Sequence, residues 1–384
     1  MNVAKFLKSP RLSVVFLLVT VISTSSAIAQ QNSRKTVQRV AGPNNQQRQQ
    51  LRQKGIDFLK NTQDHEKGYW TTPNAPGITA LITTAFIRSG VPRDDPAVQK
   101  ALEFLESNIQ KNGGIYFSRS NHRNYETCIA LTTFSLANKD GKYDKVISGA
   151  QKFLRKLQWD EGEGLESNDT NYGGAGYGKH QRPDMSNTQF LIDALRSSGV
   201  KSNDPAIRKA LIFVSRSQNL ESEFNTTKFA AKIGDGGFYY TPSAGGETKA
   251  KVTANGGLSS YASMTYAGIK SMIYAGLTKK DKRVRAAFEW IQKNYTLEHN
   301  PGVGKQGLFY YYHTFAKALS VMDVNFIEDD KGKRHDWRKE LIQKLAQRQR
   351  GNGSWVNKTS RWSEGDPHLV TAYALLALSY CEKK

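Results

Sequence analysis

Three stretches of this 384-residue chain gather side chains able to do chemistry. The first runs Tyr172-Gly-Gly-Ala-Gly-Tyr177-Gly-Lys-His180-Gln-Arg182-Pro-Asp184. Its glycines let backbone approach a ligand closely, and His180 beside Asp184 has the makings of an acid/base pair. The same residues also suit a loop over a cavity mouth, with Asp184 and Asn187 capping the helix that follows. The second stretch is Gly307-Leu-Phe-Tyr310-Tyr311-Tyr312-His313. Tyrosines in such a run suit an aromatic cavity for a polyene, a carbocation or a sugar ring. Successive helical residues face different ways, so core packing claims at least one of the three. The third is Arg361-Trp362-Ser-Glu364-Gly-Asp366-Pro-His368, where Arg361 is expected to pair with Glu364 or hold an anionic oxygen. Asp184, His180, His313 and His368 are therefore the catalytic candidates. Tyr172, Tyr177, Asn187, Tyr261, Tyr311, Tyr312, Trp362 and Asp366 are the ligand-binding candidates. The residues specify no cofactor and assign no metal site, and phosphate loops and nucleophile elbows are absent. The acidic run Glu328-Asp329-Asp330 reads as a solvated turn.

These groups must be held by something, and an internal repeat supplies it. Six times an amphipathic segment ends in Gln or Asn and meets a Gly-aromatic turn. Clear instances are Gln63 to Gly68-Tyr-Trp70, Gln158 to Gly173, Gln218 to Gly236 and Gln349 to Gly353-Ser-Trp355. Each turn precedes a second segment that is apolar nearly all round: 78–88, 126–137, 187–197, 260–275, 313–322 and 369–380. A helix apolar on every side is buried on every side. Six amphipathic outer helices around six apolar inner ones describe an all-α closed double ring, an (α/α)6 toroid. Glycine permits the sharp turn, the aromatic packs beneath it, and the glutamine is placed to hydrogen-bond backbone at a neighbouring helix end. These glutamines and tryptophans are expected to be structural.

The formal charge of +21 invites a nucleic-acid reading, which its distribution removes. Lys5, Lys8 and Arg11, an apolar run from Leu12 to Ile22 and Ala27-Ile-Ala29 form a secretory leader over residues 1–29. Residues 30–54 are polar and basic without an acid, as in a solvated tether. Residues 1–54 hold nine basic residues, which leaves 46 basic against 34 acidic over 55–384. That remainder is the expected toroid domain. An exported protein with interspersed basic charge suits anionic polymers or an anionic membrane surface, not nucleic acid. Two cysteines, Cys128 and Cys381, exclude a disulfide scaffold and a four-cysteine zinc module.

The repeated turns, best in Gln63 to Trp70 and Gln349 to Trp355, resemble the QW repeats of the squalene cyclase and protein prenyltransferase superfamily. The resemblance covers roughly residues 50–381. It implies a toroid whose inner-helix starts face a central cavity for an isoprenoid or other apolar molecule. The cyclases carry Asp-x-Asp-Asp-Thr, whose middle aspartate protonates the alkene. The matching stretch here is Asp184-Met-Ser186-Asn187-Thr188, with serine at the acid's position. An alkene is a very poor base, and a hydroxyl cannot protonate it. The prenyltransferases hold zinc by Asp, Cys and His. His313, Asp366 and His368 are the nearest counterparts, and no cysteine accompanies them. The resemblance thus implies non-standard or lost catalysis. A non-catalytic binding toroid and a carbohydrate-active double ring stand as alternatives.

Overall fold

The computed structural model describes residues 43–178 and 181–382. The expected leader, and the tether as far as residue 42, lie outside them. Thirteen α-helices follow in order among the described residues. They are α1 (Pro43–Asn61), α2 (Pro76–Arg88), α3 (Pro96–Glu106), α4 (Arg123–Ala137), α5 (Asp144–Arg155), α6 (Met185–Ser197) and α7 (Pro205–Arg216). Next come α8 (Ala230–Ile233), α9 (Ala262–Tyr274), α10 (Lys282–Lys293), α11 (Leu308–Val321), α12 (Trp337–Arg348) and α13 (Pro367–Tyr380). The acidic run near Asp329 is the turn of a short hairpin, β1 (Ile327–Glu328) with β2 (Arg334–His335). The first helix begins at Pro43, inside the stretch expected as tether. Leu51 is buried there, and a buried apolar residue rewards helix formation in an otherwise polar segment.

The apolar helices form one closed ring, α2–α4–α6–α9–α11–α13, with α13 packed back on α2. Their middles are buried throughout, as their sequences require. The amphipathic helices lie outside: α3 on α2, α5 on α4, α7 on α6, α10 on α9 and α1 on α13, with α12 against α1. The result is the all-α double ring.

Neighbouring units are locked by one recurring device. Gln63 Nε2 donates to the carbonyl of Gly68 in its own turn at 3.0 Å and to that of Ala97 in α3 at 2.9 Å. Gln158 bridges Gly173 and Ala206 at 2.9 Å each. Gln218 bridges Gly236 and Arg283 at 2.8 and 2.9 Å. Gln349 bridges Gly353 and Leu51 at 2.9 and 3.0 Å, which joins the last unit to the first. The turn glycines are obligatory. Gly173 has φ +82°, and a Cβ there would lie 1.8 Å from the Lys209 carbonyl oxygen of the next outer helix. A threonine completes the lock from the inner ring. Thr127, Thr188 and Thr371 hydroxyls accept from the backbone N–H groups of Ile115, Ala175 and Trp355 at 3.0–3.1 Å. The second and fifth units depart from this pattern: Gln110 donates only within its own unit, to Asn108 O and Tyr116 O, and Gln292 donates to Glu328 in the hairpin.

Gln158→Leu removes both hydrogen bonds that tie this turn to α7 and is expected to cost about 1–3 kcal/mol. Gly173→Ala is expected to cost more, since it adds backbone strain to a clash with main chain. Urea midpoints of the two variants check the order, and a Gly173→Ala protein as stable as wild type would refute it.

Candidate functional site

The starts of the six inner helices converge on a cavity of about 600 Å³. Every inner helix contributes, and a long connection between α7 and α9 adds Tyr240 and Lys249. That connection is tied to the start of α6. Met185 N donates to Tyr240 O at 2.9 Å, and Thr241 Oγ1 to Pro183 O at 2.7 Å. The walls are aromatic: Tyr177, Tyr240 and Tyr261, with Trp362 partly exposed. On the side that adjoins Gln189 and His313, Tyr125 of α4, Phe190 of α6, Tyr310 of α11 and Tyr373 of α13 meet ring to ring as a floor. Tyr125 and Phe190 are 5.0 Å apart and edge-on, and Tyr310 and Tyr373 are 5.8 Å apart and edge-on. Burial raises the Tyr125 phenol to about 12 and pushes Tyr261 and Tyr373 well up. These hydroxyls therefore stay protonated and can donate.

Two carboxyls line this cavity. Glu126 sits in the first turn of α4, 5% exposed. Its Oε1 accepts from Ser120 Oγ at 2.8 Å and its Oε2 from Phe117 N at 3.1 Å. Burial nonetheless dominates and raises it to about 7. Glu364 is likewise raised to about 7 by burial. It does not pair with Arg361, as the sequence suggested. Its Oε1 accepts from Phe309 N and Tyr310 N at 2.9 and 2.7 Å, and its Oε2 from Asn357 Nδ2 at 2.6 Å. It thus caps α11, replacing the turn lock that the fifth unit lacks. Arg361 turns to Gln306 Oε1.

The candidates named from sequence divide sharply. Tyr177, Tyr261 and Trp362 line the cavity. Asp184 does not. It is buried as the N-cap of α6, accepting from Asn187 N at 2.9 Å and Asn187 Nδ2 at 2.8 Å. Burial raises it to about 6. Asn187 is spent on that bond and on Asn124. Ser186, between them, is the residue that faces the cavity. Tyr172 latches its loop to Glu161 Oε1 at 2.6 Å, away from the site. Tyr311 and Tyr312 are core, their hydroxyls donating to Thr296 O and Leu297 O at 2.7 and 2.5 Å. Of the tyrosine run only Tyr310 reaches the cavity, because helical neighbours point apart.

The histidines are separated as well. His313 is buried below the floor, stacked on Tyr373 at 5.8 Å. Burial, with Lys317 and Lys270 nearby, lowers its pKa well below the usual value. Asp366 caps α13 and accepts from Thr71 Oγ1 at 2.7 Å, while His368 Nδ1 lies 3.0 Å from the same hydroxyl. Both clasp the first turn and stay outside the cavity lining. His180 lies outside the described residues. Among the described residues no three His, Cys, Asp or Glu side chains gather as a metal site would require. No described helix is long and apolar enough to cross a membrane. Ser186 and Tyr310 stand in stretches that the sequence marks, whereas Tyr125, Glu126, Lys249 and Tyr373 carry no comparable signal. The rule that inner-helix starts face the cavity, applied to α4 as to α6, points to Tyr125 and Glu126.

Both carboxyls make the fold pH-sensitive in a defined direction. An acid raised on folding supports the fold fully below its unfolded value near 4.5, and that support is lost as pH rises through about 7. Stability is expected to fall by about 2–4 kcal/mol per carboxyl between roughly pH 5 and pH 8. Glu126→Gln is expected to flatten that fall, as read from urea midpoints across the range. An unchanged slope would show that Glu126 titrates normally.

The comparisons with known proteins agree with this architecture. Residues 71–242 match the family model of the squalene-hopene cyclase C-terminal domain. No curated protein matches the sequence. Among solved structures, one is a variant of the type II terpene cyclase MstE from Scytonema in complex with geranylgeranyl dihydroxybenzoate. It is 13% identical with a TM-score of 0.54, over 88% of this chain and 98% of that one. Candida albicans protein geranylgeranyltransferase-I, complexed with GGPP, is 14% identical with a TM-score of 0.53, over 85% and 90%. A polysaccharide lyase is 12% identical with a TM-score of 0.52, over 86% and 96%. At such identities the likeness is one of fold.

Proposed function

We propose that this chain, a squalene cyclase-like toroid of the terpenoid cyclase-like superfamily, binds an isoprenoid or similarly apolar small molecule in its central cavity. The observation that carries the reading is the cavity itself, about 600 Å³ and walled by aromatic and aliphatic side chains from all six inner helices. That volume suits a drug-sized apolar ligand. Two structures of the same fold hold isoprenoid compounds, geranylgeranyl dihydroxybenzoate and GGPP. The same reading has the protein exported, on the strength of the leader pattern in residues 5–29, with its basic surface toward anionic envelope material.

Chemistry in this cavity would not follow the alkene-protonating route. Ser186 stands at the acid's position and Asp184 is a helix cap. The acid on the wall is Glu126. Ser120 and the Phe117 N–H hold its carboxyl in place, and burial keeps it about half protonated near neutrality. Such a group is too weak to protonate an alkene, but it suits transfer of its proton to an oxygen of a hydroxyl, ether or ester.

A second reading, a carbohydrate-active enzyme, is favoured by the presence of both Glu126 and Glu364 in one tyrosine-lined cavity. Against it, Glu364 already accepts three hydrogen bonds as the cap of α11. One experiment separates the readings: solvent extraction of the purified protein after incubation with envelope lipid, with mass spectrometry of what is retained. An isoprenoid lipid is the expected catch, and retention of sugar alone would overturn the proposal. Where a turned-over ligand is found, Glu126→Gln is expected to lower the rate by about 10²–10⁴ while the ligand stays bound.

A further inference from the structure

Directly beneath the aromatic floor lies a group of charges that the cavity reading does not use. Lys270 of α9, wholly buried, donates to Asp193 Oδ2 of α6 at 2.5 Å, and Lys317 of α11 donates to the same oxygen at 2.7 Å. Two ammonium groups thus share one carboxylate. Burial lowers Lys270 only to about 8, so it remains charged at neutral pH. His313, held neutral by burial, adds no charge of its own. Asp193 Oδ1 and His313 Nδ1 have no hydrogen-bond partner among the described residues.

The group is wired to the cavity. Lys270 also donates to Gln189 Oε1. An ammonium has only donors, so the amide end it meets must be the oxygen, and the other end is the NH2. That NH2 donates to the hydroxyl oxygen of Tyr310 at 3.3 Å. With its oxygen accepting from below, the Tyr310 hydroxyl has its remaining hydrogen-bonding neighbour on the cavity side in Ser186, a small hydroxyl that a ligand oxygen can replace or join. The floor therefore offers an O–H donor over an excess of positive charge. Such a floor attracts a hydrogen-bond acceptor and repels a cation, even though the aromatic faces of the walls would welcome one.

We infer that the cavity selects a ligand whose deep end carries an oxygen acceptor, a hydroxyl or carboxylate rather than a bare hydrocarbon tail. Tyr310 contacts that oxygen, and Gln189 and Lys270 act as positioning residues behind it. This deepens the proposed function and rests on it. The test is equilibrium binding of three probes of equal chain length: farnesol, farnesoic acid and the hydrocarbon farnesene. The wild-type protein is expected to hold the alcohol and the acid roughly tenfold or more tightly than farnesene. Tyr310→Phe, which removes one oxygen, is expected to bring that ratio within about twofold by weakening the alcohol and the acid more than farnesene. Gln189→Leu and Lys270→Met are expected to narrow the ratio in the same way, which a merely structural role would not do. Equal binding of all three probes, or an unchanged ratio in Tyr310→Phe, overturns the inference and leaves the apolar-ligand reading standing. Failure of all three to bind overturns both.

Discussion

The double ring depends on the glutamine that spans two units. Outer helices are tied to their neighbours by side-chain amides that add a second hydrogen bond to carbonyls such as Ala97 and Ala206 in the first turns of the next helices. A single primary amide offers two donors, and Gln63, Gln158, Gln218 and Gln349 spend both on carbonyls of different units. Glycine at the turn lets two main chains touch, and threonine from the inner helix takes the next N–H. Each lock fixes the angle between consecutive units. Four such locks tie units of a ring whose inner helices pack all the way round, and closure leaves no end helix to cap.

That lock also decides which residues are free for the site. A turn pinned from outside leaves the first turn of each inner helix pointing inward. In the third unit, Asp184 caps α6 and Thr188 holds the turn, so both positions that match the cyclase motif are occupied by architecture. The remaining position, Ser186, is the one exposed to the cavity. A motif match of this kind reports the fold, and the chemistry is reported by the residue that differs. The fifth unit shows the converse. Without a Gln lock, the start of α11 is held by Glu364 from the sixth unit, and Tyr310 is brought to the floor by that carboxylate.

The fold was legible because it rests on a period. Gln, Gly and aromatic residues recur at fixed offsets, and the inner helices are apolar on all sides. The site was legible only in part. Tyr177, Tyr261 and Trp362 were found because aromatic residues at inner-helix starts have few other uses. Tyr311 and Tyr312 were not separable from Tyr310, since the rotation of a buried helix about its axis is set by packing partners far away in sequence. Glu364 read as half of a surface ion pair because burial against the backbone of α11 is a contact across more than fifty residues. The Lys270–Asp193–Lys317 group escaped for the same reason. Its members lie on three helices, and each alone looks like a polar residue near a helix end.

That buried group sets a limit on what the cavity can host. Taking charges out of water costs several kcal/mol per ion, and a paired cluster returns little of it as stability. An apolar plug would close the ring at least as well. What the cluster adds is direction, since it orients Gln189 and through it the Tyr310 hydroxyl. A carbocation moving down the cavity would meet two ammonium groups with one carboxylate between them. Aromatic walls alone favour a cation at any depth. Here they favour it only away from the floor, while the floor favours electron-rich oxygen. Ser186 at the acid's position and the ammonium groups beneath the floor, on α9 and α11, are separate features. On the proposed reading both disfavour hydrocarbon cyclisation, and the floor suits an oxygenated apolar molecule.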